Sequence, residues 1–264
     1  MIPGGVWLYI FSALLGLITG SFANVCIYRL PRGKSVVRPA SRCPSCQTPI
    51  KPWDNIPVFS YLVLRGRCRA CGEPIAARYP GVEALNGALY PLALYKFGAT
   101  AATLFYFVFI TALIVITFID YDFQIIPDEI TLPGIPVGIL AGWLILPDPF
   151  YRVLDMGVAV SLIGAATGFA LYYAIAFVSR GGMGGGDIKM MAMAGAVLGW
   201  KGVLLTTFIA SLMGSAVGIY LVIFKGKGRK SKIPFGPFLA AGALLSLFYG
   251  QEFVFWYLRY GQHW

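Results

Sequence analysis

Charge is scarce in this chain. Asp, Glu, Lys and Arg make up 12% of its 264 residues, about half of what a soluble domain carries. That scarcity excludes a soluble globular protein as the simplest reading. Acids are rarer than bases, 11 against 21, so each acid can be weighed singly. Histidine occurs once, as His263 at the far terminus, and takes no role. Low-complexity tracts and solenoid-like repeats are absent. No basic region precedes the first apolar run, so that run is expected to stay as a membrane span rather than act as a cleaved signal.

Apolar residues fill the space that charge leaves. Hydrophobic residues reach 58%, aromatics 15% and mean hydropathy +0.74, which fits an integral membrane protein with interfacial aromatic belts. Runs long enough to span lie near 6–27, 81–97, 101–119, 130–146, 156–178, 188–200, 202–224 and 234–254. The sixth is the shortest, and "WKG" at 200–202 is taken as the turn that ends it; alternatively the sixth and seventh merge into one long bent helix. The expected fold is an all-α polytopic membrane protein of about eight transmembrane helices, with a small zinc-ribbon-like insert. The expected organisation is a first span at 1–28, a tetracysteine insert at 29–80 and a membrane-embedded core at 81–264.

Basic residues set the orientation. Ten fall in 29–80 and five in "KGKGRKSK", 225–232, while Arg180 and Lys189 flank a glycine loop. Eight spans put all 17 on one side and leave Lys96, Arg152, Lys201 and Arg259 on the other. The rich side is cytoplasmic and both termini lie outside. The net charge of +10 is then topology plus attraction to anionic lipid, with no nucleic acid required.

The insert contains Cys43-Pro-Ser-Cys46 and Cys68-Arg-Ala-Cys71. Two such knuckles match a zinc-ribbon pattern, since two thiolates on each tight turn close a tetrahedron around one ion. The competing readings are disulfides or free thiols, and a reducing cytosol argues against disulfides. Four thiolate ligands leave no position for water, so the zinc is structural rather than catalytic. Cys26, in the first span, is read as a small buried apolar residue.

Five of the acids gather toward the inner side: Asp120, Asp122, Asp128 and Glu129 in "TFIDYDFQIIPDEITLP", and Asp187 in "RGGMGGGDIKMM". Asp120 ends an uncharged apolar run and Asp187 begins another, so both sit at one depth. Two carboxyls brought together there share a proton. That pair can hydrolyse a peptide bond, one acid taking a proton from water and the other polarising the carbonyl. The glycines admit close backbone approach and would leave room for an extended substrate strand. Alternatively they form a plain loop in which Asp187 caps the next helix. The second carboxyl at matched depth favours the functional reading. Lys189 either pairs with an acid or reaches for lipid phosphate.

These segments resemble the type IV prepilin peptidases, the G-x-G-D intramembrane aspartyl proteases of bacterial pilus and type II secretion systems. "GMGGGDIKMMAMAGAVLG", "FIDYDFQIIPDEITLP", "GSFANVCIYRLP", the insert through "RCRACGEPIAARYPGVEALNG" and "IPFGPFLAAG" follow that family's order over nearly the whole chain. The resemblance implies Asp120 and Asp187 as the catalytic pair. It implies supporting or substrate-contacting roles for Asp122 and Asp128, with Gly184, Gly186 and Lys189 around them. It implies cleavage of a basic leader from prepilins or pseudopilins after a glycine, at the cytoplasmic edge of the bacterial inner membrane. It also implies N-methylation of the new terminus with S-adenosylmethionine, whose binding residues cannot be placed because 29–80 holds no glycine-rich nucleotide-binding pattern. A proton-coupled transporter would carry acids deep in several spans, whereas here they gather at one edge. A zinc-ribbon scaffold without catalysis is the other rival.

Overall fold

The computed structural model describes residues 5–150, 155–180, 182–225 and 234–261. Gly181, Arg152, His263, Ile233 and all but the first residue of the basic run 225–232 lie outside the described residues. Among those described the protein is helical, with isolated β-bridges and no strand. The elements are α1 (Gly5–Arg29), the short α2 (Phe59–Val63), α3 (Arg78–Phe97), α4 (Ala101–Phe123), α5 (Asp128–Leu144), α6 (Gly157–Val178), α7 (Gly185–Lys225) and α8 (Gly236–Gly261).

Each of the eight apolar runs falls on a helix. Five stretches are long and apolar enough to cross a membrane: Gly5–Arg32, Ala101–Phe123, Gly157–Val178, Gly185–Phe224 and Gly236–Tyr257. Helix α3 is not among them because Arg78, Glu83, Asn86 and Lys96 dilute its hydropathy. Helix α5 has only 17 residues, with Pro133 and Pro136 inside and two acids in its first turn. Helix α7 runs for 41 residues in two helical segments, more than a single crossing of the hydrocarbon needs. It is broken once, at Gly199 (φ 67°, ψ 175°). The turn expected at 200–202 therefore lies one residue earlier, where glycine tolerates a positive φ, and Trp200, Lys201 and Gly202 are already helical.

Two compact units divide the chain between Val115 and Ile116. In the first, α1 lies against α3 and their apolar contact encloses a chain of hydroxyl and amide groups. Thr19 donates to the Tyr90 hydroxyl at 3.0 Å, and Thr111 bonds Tyr90 at 2.8 Å and Asn86 Oδ1 at 2.7 Å. Satisfied groups of this kind fix helix register where apolar surface alone would let helices slide. Cys26 is partly exposed on α1 rather than buried.

In the second unit the first half of α7 is central, with every residue from Met190 to Leu198 buried. Helices α5, α6 and α8 pack on α7. Gly164 of α6 meets Gly195 of α7 so closely that a side-chain carbon on either would strike the other's carbonyl oxygen, the small-residue contact by which membrane helices approach. The outer faces are apolar too: Leu104 and Val108 on α4, and Phe169, Tyr173 and Phe177 on α6, are exposed. In water each would forgo about 1.5–3 kcal/mol of burial. Against lipid that loss vanishes, which is why helices apolar on all sides belong to membranes.

Candidate active site and metal centre

Asp120 lies in the last turn of α4 and is 7% exposed; Asp187 lies in the first turn of α7 and is 9% exposed. The loop that follows α4 lies against the start of α7, with Ile126 beside Gly186, so the two buried carboxyls occupy neighbouring helix ends. Each is held by a backbone donor at a helix start, where N–H groups lack intrahelical partners. The Gly236 N–H, at the start of α8, donates to Asp120 Oδ2 at 2.8 Å. The Gly184 N–H donates to Asp187 Oδ2 at 3.2 Å, and the Asp187 N–H returns a bond to the Gly184 carbonyl at 3.1 Å. The carboxylate bond to the Gly184 N–H is the acidic half of a capping box; glycine, without a side chain, supplies no other half. Asp187 thus helps to cap the helix it opens.

Glycine matters at two positions here. A Cβ on Gly186 would stand 2.7 Å from Ile126 Cβ, so the loop between α4 and α5 can lie against the start of α7 only because residue 186 is bare. A Cβ on Gly236 would stand 2.7 Å from Asp120 Oδ2. Gly184 lies beside the Asp187 carboxyl.

The remaining acids are at the surface. Asp122 is exposed, two residues beyond Asp120. Asp128 opens α5 behind the N-cap Pro127, and both its oxygens accept from Lys189 Nζ, at 2.8 and 2.7 Å. Lys189 therefore pairs with an acid. The side chains are 37% and 51% exposed, so solvent screens the pair and its worth is no more than about 1 kcal/mol.

Two residues near the pair escaped the sequence reading. Gly236 lies within a quoted motif but received no role. Tyr172 of α6 is completely buried, one turn beyond Gly168, which packs on Met191 of α7, and its hydroxyl donates to Thr207 at 3.2 Å. A tyrosine in an apolar span was the available signal.

The four cysteines converge in the connection between α1 and α3, their sulfurs all within 4.8 Å of one another. Cys43 and Cys71 sulfurs are 3.9 Å apart. A tetrahedron of ~2.3 Å zinc–thiolate bonds has edges of about 3.8 Å, so this donor set could hold zinc. The two knuckles share one backbone pattern. The Cys43 N–H bonds the Thr48 carbonyl at 3.0 Å as the Cys68 N–H bonds that of Glu73 at 2.9 Å, and Gln47 and Gly72 both take positive φ. The Thr48 side chain and backbone push the Cys46 thiol down to about 6. Backbone N–H groups of Cys71 and Ala70 lower Cys68. Cys71 is pushed up to about 12, because desolvation and the three neighbouring sulfurs outweigh the Glu73 N–H. A divalent cation would relieve that opposition. Elemental analysis of protein purified without chelators is expected to give one zinc per chain. Cys43→Ser, which removes the buried thiol, is expected to lose the metal and open the insert to trypsin at Arg65 and Arg67. Full zinc in that variant would exclude the four-thiol site.

Helices of this apolarity, two buried carboxyls at neighbouring helix ends and a cluster of four thiols define a class: a helical membrane protein with acids buried at its helix ends. Comparison with known proteins is more specific. The model of the bacterial peptidase A24 N-terminal domain matches residues 14–97, and that of the type IV leader peptidase family matches residues 107–219. A prepilin leader peptidase/N-methyltransferase of Legionella pneumophila is 35% identical over 279 residues, covering 96% of either chain. Proteins of the same name match from Pseudomonas putida, at 34% identity over 91% of this chain and 90% of the relative, and from Bacillus subtilis (strain 168), at 35% over 93% and 96%. The chain belongs to the type IV leader peptidase family. No solved structure matches it.

Proposed function

We propose that this membrane enzyme removes the basic leader of type IV prepilins or pseudopilins by aspartyl-type hydrolysis and methylates the new N-terminus with S-adenosylmethionine. The observation that supports the proteolytic half is that Asp120 and Asp187 are both buried at neighbouring helix ends, each oriented by one backbone N–H. In this reading one carboxylate takes a proton from water, and the resulting hydroxide attacks the scissile carbonyl. The other carboxyl, carrying the shared proton, polarises that carbonyl and passes its proton on to the departing amine. The desolvated surroundings strengthen both interactions.

Asp122 and Asp128 are read as supporting residues that meet the basic leader, with Lys189 holding Asp128 in place until a leader cation displaces it. Gly184 and Gly186 keep the start of α7 open to an extended strand. Residues 29–80 are the cytoplasmic insert carrying structural zinc, 1–28 the first span and 81–264 the protease core. Eight crossings of the inner membrane, with the insert and acids facing the cytoplasm and both termini outside, agree with the distribution of bases. Anionic lipid rather than nucleic acid is the counterpart of the positive charge.

The methyl donor has no assigned seat. A cleft of about 250 Å³ lined by Ile18, Ser21, Phe22, Val25, Asn55 and Pro57 is smaller than usual cofactor pockets. The nearby Glu83 carboxylate is already engaged by the Val58 N–H at 2.7 Å, and no step is routed through the cleft. The second half of the proposal rests on the name that the relatives carry.

Mass spectrometry of a model prepilin incubated with the purified enzyme tests both halves. Loss of the leader is expected without S-adenosylmethionine, and addition of a single methyl group only with it. In the same assay Asp128→Asn should raise KM for the basic leader with kcat nearly unchanged. An intact prepilin under all conditions would refute the proteolytic reading.

A further inference from the structure

The connection between α1 and α3 carries an apolar face that the catalytic reading leaves unused. Trp53, Ile56, Phe59, Leu62 and Val63 are 59%, 46%, 60%, 67% and 58% exposed. Phe59, Leu62 and Val63 stand at helical positions i, i+3 and i+4 of α2 and so share one side. Their backbone is pinned. The buried Ser60 donates to the Trp53 carbonyl at 2.8 Å and accepts the Ile56 N–H at 3.0 Å. An α-helix of five residues has no stability of its own in water, and a patch of large apolar side chains on an extramembrane segment marks an interaction surface.

Charge identifies the occupant. Residues 29–80 hold ten bases and two acids, Asp54 and Glu73. Arg69 engages Asp54 at 2.7 Å and holds its carboxyl below the usual range. Lys51 sits 5.4 Å from the Trp53 ring, and Lys51, Arg65 and Arg67 are exposed around the apolar stretch. Apolar anchors with a basic rim are the build of an element that lies in the headgroup region of an anionic bilayer, the aliphatic stems buried and the charges on phosphate. A basic leader peptide would be repelled by the same rim. The segment is also tethered by α1, which is apolar enough to cross a membrane.

We propose that the face formed by Trp53, Ile56, Phe59, Leu62 and Val63 rests on the anionic leaflet and lays the four-thiol module flat against it. The proposal is independent of the paired-acid chemistry. Full-length, metal-loaded enzyme in nanodiscs with brominated acyl chains provides the test. Lipid quenching of tryptophan emission should be greater in the parent protein than in Trp53→Phe. The difference should grow when phosphatidylglycerol replaces part of the phosphatidylcholine. Replacing Leu62 and Val63 together by Glu should remove at least half of it, with zinc content and prepilin cleavage retained as evidence of folding. Equal quenching of the parent and Trp53→Phe would overturn the proposal. So would a Trp53 contribution quenched by aqueous acrylamide, or one shielded only when prepilin is added, which would assign the face to a protein partner.

Discussion

Asp120→Asn and Asp187→Asn are each expected to lower prepilin cleavage by roughly 10²–10⁴-fold, the range that a positioned acid or base contributes. Asparagine keeps the shape of the side chain and can still accept the backbone N–H from Gly236 or Gly184. It can neither take a proton from water nor return one to the departing amine. In the proposed mechanism the two carboxyls share one proton, so removing either ends the relay, and the double variant should cleave no more slowly than the weaker single one. A pair of independent sites would instead show multiplied losses. Methylation of an already cleaved pilin should persist in all three variants, which also certifies their fold. Rates on purified protein, with cleavage and methylation measured separately, decide the matter. Normal cleavage by either single variant would remove that residue from the mechanism.

The sequence pointed to these acids because charge in an apolar run is conspicuous, and it pointed to the thiols because two knuckles at ribbon spacing have few other uses. What it could not supply was contact between distant parts. Lys189 meets Asp128 across 61 residues, and opposite charge in two loops says nothing about their proximity. Tyr172 reaches Thr207 across 35 residues. The bend in α7 was placed at "WKG" because lysine and glycine signal a turn locally. Those residues stay helical, and the positive φ falls on Gly199. Composition marked eight apolar runs but not how they differ: α3 carries charges at both ends, and α5, at 17 residues, is shorter and holds two prolines. Gly236 was the least legible, since its contribution is a backbone N–H and the absence of a side chain, directed at an acid 116 residues away.

Gly236→Ala should therefore have an effect out of proportion to one methyl group. The added Cβ would stand 2.7 Å from Asp120 Oδ2, 3.0 Å from Cγ and 3.1 Å from Cβ. Neither side yields easily. Residue 236 opens α8 and is followed by Pro237, whose ring fixes its own φ, while Asp120 is anchored in α4. The carboxylate must rotate away, and the bond that orients it lengthens or breaks. Displacement of a reacting group by about 1 Å costs on the order of 10²-fold in rate. The loss should fall on kcat with KM little changed, because the leader and the pilin helix need not touch residue 236 to bind. Gly185→Ala is the matched control: it lies in the adjacent glycine run, but its Cβ would meet nothing within 4 Å, and alanine suits a helix better than glycine. A general intolerance of added bulk at the site would impair both variants alike. Geometric control of Asp120 by the start of α8 requires that Gly236→Ala be slow and Gly185→Ala remain near the parent rate, so equal kcat values for the two would defeat it.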